Sequence, residues 1–161
     1  MNRRTLLTVP ALALITLIAN PSSANAQDKP NFSGSWKMNA DKSDFGPVPK
    51  PSRFERTITH NGNELAAKTT QAGDQGERTT ELKYKTDGSD SINKINGQDV
   101  KSVAAWEGAK LVVRSKREIQ GMEISQVETW ALSGDGKVIT VDNEIDTPQG
   151  KFAVTIVLDK Q

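Results

Sequence analysis

Asn31-Phe32-Ser33-Gly34-Ser35-Trp36-Lys37 is the stretch on which the fold turns. Phe32, Gly34, Trp36 and Met38 recur at period two, with Ser33, Ser35 and Lys37 on the opposite face. That alternation predicts a half-buried strand over 32–38. The smallest residue stands between two aromatic rings on the buried side. A glycine in such a place marks a close approach by another part of the chain.

Downstream of this strand, glycine sets the rhythm. Turn-like strings occur at Asn61-Gly62-Asn63, Gly73–Gly76, Thr86-Asp87-Gly88, Asn96-Gly97, Glu107-Gly108, Gln120-Gly121, Gly134-Asp135-Gly136 and Pro148-Gln149-Gly150. Glycine and asparagine supply the positive φ that tight hairpin turns require. The segments between them alternate as strands do. Leu111, Val113, Ser115, Arg117 and Ile119 share one face, as do Met122, Ile124, Gln126, Glu128, Trp130 and Leu132. Phe152, Val154, Ile156 and Leu158 make the most apolar row, and no stretch keeps a helical period over three turns. Ten strands are expected, one at 32–38 and nine joined by the eight turns, in an all-β antiparallel up-and-down barrel.

The one long connection runs from Asn39 to Ser52. Asn39 is positioned to cap a helical turn, and Pro47, Pro49 and Pro51 then force an extended path. Its length suits a rim or lid element, or an inert surface crossing.

Residues 1–26 have the features of a signal peptide. Met1-Asn2-Arg3-Arg4 is basic, Leu6 to Ala19 is apolar, and Ala24-Asn25-Ala26 is a small-x-small cleavage pattern. The apolar run is short for a retained anchor, which needs ~20 residues. Arg3-Arg4 also resembles a twin-arginine signal, leaving two export routes open. Cleavage after Ala26 would leave a single domain over 27–161, periplasmic or secreted. The chain has no cysteine, so neither disulfides nor lipid attachment through cysteine is available to it. With Arg3 and Arg4 taken from the 21 basic residues, the 20 acidic ones are in excess by one. The charges alternate along the chain, so neither nucleic acid nor membrane insertion is expected of the mature domain. A closed barrel hides its strand edges, and a monomer is expected.

The Phe32-x-Gly34-x-Trp36-Lys37 opening, the serial hairpins and the final strand with no helix after it resemble the calycins, the lipocalins and fatty-acid-binding proteins. The resemblance implies a lipocalin-like barrel enclosing a pocket for a small hydrophobic molecule, with Phe32, Gly34 and Trp36 closing one end. Ten strands look closer to the fatty-acid-binding branch than to eight-stranded lipocalins. Three family features are missing. Asn39–Ser52 is too short for the two helices of the fatty-acid-binding branch. The last strand lacks that branch's Arg-x-Tyr pair. No arginine follows Arg117 to cover the base tryptophan, as in lipocalins. The fold carries over and the fatty-acid ligand does not.

Several polar side chains share the apolar faces: Arg56, His60, Thr69, Gln71, Arg78, Thr80, Tyr84, Ser115, Arg117, Gln126, Glu128 and Asn143. Burying such groups unpaired costs ~1–3 kcal/mol each, so they imply partners or a wet cavity. Arg56, Tyr84, Arg117, Gln126, Glu128 and Trp130 are the candidate cavity residues. Arg117 would pair with Glu128 across the Gln120-Gly121 hairpin or hold a ligand carboxylate. A one-residue slip would put both in solvent instead. His60, the one histidine, reads as a rim residue before the Asn61-Gly62 turn. No metal, cofactor or catalytic motif is present: the chain lacks cysteine, a second histidine and a Gly-x-Ser-x-Gly. The reading is an exported barrel that non-covalently binds or carries a mainly apolar molecule with a polar head. The alternatives are a cell-envelope protein-interaction module with the barrel as scaffold, and a barrel enzyme without a standard motif.

Overall fold

In the computed structural model, which describes residues 29–74 and 76–161, ten antiparallel strands follow one another with no helix among the described residues. They are β1 (Gly34–Met38), β2 (Arg53–Asn61), β3 (Glu64–Gly73), β4 (Gly76–Lys85) and β5 (Asp90–Ile95). The second half comprises β6 (Gln98–Glu107), β7 (Lys110–Ile119), β8 (Met122–Leu132), β9 (Val138–Thr147) and β10 (Gly150–Lys160). The leader and its cleavage pattern lie outside the described residues. Each turn string falls between two strands. At Asn96-Gly97 and Gln120-Gly121 both central residues have positive φ, the conformation that matches the twist of a two-residue hairpin.

The sheet order is β4-β3-β2-β1-β10-β9-β8-β7-β6-β5. β1 joins the two halves, with Trp36 opposite Arg56 on β2 and opposite Lys160 on β10. The ends of the sheet, β4 and β5, curl to face one another without a backbone ladder. Closure is therefore incomplete, where the sequence suggested a barrel without edges.

The first strand begins at Gly34, two residues later than the alternation predicts. Gly34 has φ +143°, a conformation that side-chain-bearing residues rarely adopt, and it breaks the strand there. Phe32 consequently folds under the barrel. Its ring is buried, its N–H donates to His60 Nδ1 at 3.4 Å, and its carbonyl accepts from Trp36 Nε1 at 3.0 Å. The close approach that the glycine implied is made by Lys160, whose Cε would lie 3.1 Å from a Cβ at position 34. Lys160 Nζ sits 5.3 Å from the Trp36 ring centroid. A lysine thus covers the base tryptophan, by the same attraction of a cation to a π face that an arginine would use.

The core occupies this end of the barrel. Phe32 stacks on Trp106 at 5.9 Å and meets Trp130 edge-on at 5.8 Å. Trp36, Leu65, Leu111, Ile139 and Leu158 complete the layer and are all buried. His60 belongs to it as well, only 5% exposed and stacked against Trp106. The rim position expected for it is thus overturned. β2 ends at the closed end of the barrel, and the Phe32 segment folds over its last inward residue.

Burial holds the His60 pKa below its ordinary 6.5, partly offset by a backbone contact at Gly62. The folded state therefore favours the neutral ring. As pH falls below about 6.5, the unfolded chain takes up a proton that the folded chain does not, and stability is lost until the folded pKa is passed. Urea titrations across this window should give a smaller loss of unfolding free energy on acidification in His60→Phe than in the parent. Equal slopes for the two proteins would disprove the assignment.

Asn39–Ser52 forms no helix, and its Pro49-Lys50-Pro51 stretch lies beside the β3–β4 turn at the rim. Asn39 Oδ1 caps a single turn by accepting from the Lys42 N–H at 3.1 Å. Asp44 then pairs with Thr155 through two backbone bonds of 2.8 and 2.7 Å. The connection takes the place beside β10 where β1 has ended, so it is part of the barrel wall.

Candidate functional site

Inward residues of five neighbouring strands surround a cavity of about 60 Å³. β4 contributes Leu82 and Tyr84, β5 Ile95, and β6 Val100 and Ser102. β7 contributes Ser115 and Arg117, and β8 Ile124, Gln126 and Glu128. The i, i+2 spacing within each strand follows from the period of the pleat. Ser102 and Ser115 share a 2.8 Å hydrogen bond across β6 and β7.

Glu128 is the centre of the polar groups. Its Oε1 accepts from Gln126 Nε2 and its Oε2 from Trp130 Nε1, each at 2.7 Å. Both donors are same-face neighbours on β8, two residues to either side. Arg56 approaches from β2, where its Nε donates to Thr69 Oγ1 at 2.8 Å. Its guanidinium carbon lies 4.9 Å from the Trp130 ring and 5.2 Å from Phe54. Burial lowers the Arg56 pKa, with the charge of Glu128 opposing that effect. Burial likewise raises the Tyr84 phenol far above its ordinary value, with Glu128 adding to the shift and Arg56 subtracting from it. Tyr84 is therefore a neutral hydroxyl in an interior that it shares with Arg56 and Glu128.

The Arg117–Glu128 pair suggested by the sequence does not form. Arg117 is opposite Ile124, whereas Glu128 is opposite Val113. Their positions on the ladder differ by four residues, roughly 13 Å along the strand. The two-residue turn at Gln120-Gly121 already dictates this register, so the mismatch was readable in the sequence. Among the described residues Arg117 makes no ion pair, and its Nε is buried without a hydrogen-bond partner. Arg56 Nη1 and Asn143 Oδ1 are buried and unpartnered in the same way. Two inward arginines against one inward glutamate leave the interior with an excess positive charge.

The candidate residues divide accordingly. Tyr84, Arg117, Gln126 and Glu128 line one cavity, while Arg56 and Trp130 join it through Glu128 and the cation–π contact. Arg78 is exposed and reaches Asn96 at 3.4 Å, at the edge of the barrel and outside the cavity. Sequence reasoning missed Ile95, Val100 and Ser102. The alternation of Val100, Ser102, Ala104 and Trp106 was the signal for the last two. No group of His, Cys, Asp and Glu among the described residues is placed to hold a metal ion. No helix among them is long and apolar enough to cross a membrane.

The geometry defines a calycin-like barrel, and solved structures share it. A zebrafish ileal bile acid-binding protein, solved with cholic acid, superposes with a TM-score of 0.58 and 17% identity, over 81% of this chain and 98% of that one. A secretory abundant heat soluble protein from Ramazzottius varieornatus gives 0.60 and 11%, over 80% and 94%. Secretory abundant heat soluble protein 4 from the same organism gives 0.54 and 14%, over 81% and 94%. These likenesses are of fold. No protein-family model matches the chain, and no curated protein does.

Proposed function

We propose that this protein binds a small, mainly apolar molecule with an anionic or polar head inside the barrel, and that it does so without covalent chemistry. The observation that carries the reading is the set of unpartnered polar atoms facing the interior: Arg56 Nη1, Arg117 Nε and Asn143 Oδ1. Buried polar atoms without partners are costly: a head group that accepts from Arg56 Nη1 and Arg117 Nε recovers that cost, and a ligand hydroxyl or N–H that donates to Asn143 Oδ1 does the same. Apolar wall residues such as Leu82, Ile95, Val100 and Ile124 would desolvate the rest of the ligand. The bile acid-binding barrel, solved with cholic acid, supports this reading by fold. The leader supports export to the periplasm or beyond, with cleavage after Ala26.

Native mass spectrometry of the protein purified from the periplasm, before and after solvent extraction, tests the reading directly. A stoichiometric mass lost on extraction is expected. An unchanged mass, together with no binding of anilinonaphthalene sulfonate, an aromatic anion, would refute it. Arg117→Ala should weaken binding of that probe roughly 10- to 100-fold, the value of one charge-assisted hydrogen bond. Because Arg117 has no ion-pair partner to leave behind, its melting temperature should stay close to the parent's. A large fall in melting temperature with binding unchanged would make Arg117 a structural residue.

A further inference from the structure

We propose that the seam between β4 and β5 is the way into the barrel, and that the side chains of Asn93 and Ser91 are its latch. This rests on the binding reading above. The described cavity, about 60 Å³, is far smaller than the roughly 300–1,000 Å³ of a typical ligand pocket. The polar atoms Arg56 Nη1, Arg117 Nε and Asn143 Oδ1 are shielded from solvent. A ligand therefore reaches them only if part of the wall moves.

Every other neighbouring pair of strands is joined by a backbone ladder; β4 and β5 are not. In place of a ladder, Asn93 offers its amide as a short imitation of a strand. Its Oδ1 accepts from the Lys83 N–H at 2.7 Å, and its Nδ2 donates to the Lys83 carbonyl at 2.9 Å. Ser91 Oγ accepts from the Lys85 N–H at 2.9 Å. Both side chains are buried, and the three bonds are partly shielded from water. Undoing them frees three bonds at the end of a sheet, whereas opening β3 from β4 would break a ten-pair ladder.

The seam is also polarised. At the closed end the turn that joins the two strands is itself anchored, by Gly88 N–H to the Ala104 carbonyl of β6 at 2.9 Å and by Thr86 N–H to the Asn63 carbonyl of the β2–β3 turn at 2.7 Å. Beyond Asn93, toward the open end, the bond across it among the described residues is the exposed Arg78–Asn96 contact at 3.4 Å. The two strands can thus part from the open end and hinge at the closed end. The cavity backs onto this place, with Leu82 and Tyr84 on one bank and Ile95 on the other. Outside it, toward the closed end, a groove of about 600 Å³ runs between Lys83-Tyr84-Lys85 and Asp90-Ser91-Ile92 and is walled also by Asn61, Glu64 and Leu65 at the β2–β3 hairpin. Tyr84 lines both spaces, and Ile92, 72% exposed, gives the outer one an apolar lip.

The absence of cysteine from the chain makes the test direct. Glu81→Cys and Lys94→Cys place one exposed thiol on each bank, to be bridged by a short bismaleimide or capped singly as a control. Bridging should slow uptake and release of anilinonaphthalene sulfonate at least tenfold while leaving its fluorescence at saturation unchanged. Asn93→Ala, or Ser91→Ala should the first fail to fold, should speed both rates by similar factors. Independently of any ligand, the Lys83 amide should exchange its hydrogen at least tenfold faster than the Val113 amide in the β7–β8 ladder. Uptake at equal rates in bridged and capped proteins would overturn the seam and leave the binding reading standing, as would a Lys83 amide as protected as that of Val113. Absence of probe binding in both proteins would overturn the binding reading, and the seam's role with it.

Discussion

Trp36→Ala should lower the unfolding free energy by about 3–5 kcal/mol, the usual cost of removing a large ring from a core. Trp36 is 1% exposed and lies at the junction of β2, β1 and β10. Its loss removes the donor to the Phe32 carbonyl, the surface beneath Lys160 and the floor of the core together. With a total stability of about 5–15 kcal/mol for a typical domain, such a loss brings the protein to the edge of unfolding. Urea unfolding followed by far-ultraviolet circular dichroism measures it without relying on the tryptophan itself. Lys160→Met is the control, because it keeps most of the aliphatic cover and removes the cation, at an expected cost of about 0.5–1 kcal/mol. A Trp36→Ala protein as stable as the parent would show that β1 is not the element on which closure depends.

The second large effect is expected at Glu128. Glu128→Ala leaves Gln126 Nε2 and Trp130 Nε1 without acceptors and deprives Arg56 of its opposing charge. Leaving two part-buried donors without their acceptor costs about 1–3 kcal/mol each. Glu128→Gln separates the two causes. A glutamine oxygen can still accept from Trp130, and Gln126 can turn its own oxygen toward the new amide, so mainly the charge is lost. The expected cost is therefore smaller, about 1–3 kcal/mol. If both variants match the parent in melting temperature, Glu128 is not a structural centre of the interior.

The parts of this protein legible in its sequence are those set by neighbours along the chain. The turn residues need positive φ, a property of single positions, so the eight turns and the nine strands they join were readable from glycine and asparagine, and the first strand from its alternation. Period-two alternation likewise puts Tyr84, Arg117, Gln126 and Glu128 on inward faces, because the pleat sends successive side chains to opposite sides of the sheet. Hairpin register followed from turn length, and it rules out the Arg117–Glu128 pair once the residues opposite Gln120-Gly121 are counted out.

What remained hidden depends on residues far apart in the chain. Phe32 looked like a strand residue because its spacing to Trp36 is that of a strand. Only the turn at Gly34 and the roof it makes over His60 reveal it as part of the barrel floor. Lys160 does not announce itself as the cover of Trp36, since β10 meets β1 only when the sheet curls. Ser91 and Asn93 are ordinary polar residues in a short strand until β4 is brought beside them without a ladder. Sequence alone therefore determined the strands, the turns and which side chains face inward, because dihedral preference and alternation are local. Tertiary structure alone decided how the sheet closes, which polar atoms are left unpaired inside it and where it can open. Those depend on the curvature of the whole sheet, and no local pattern encodes it.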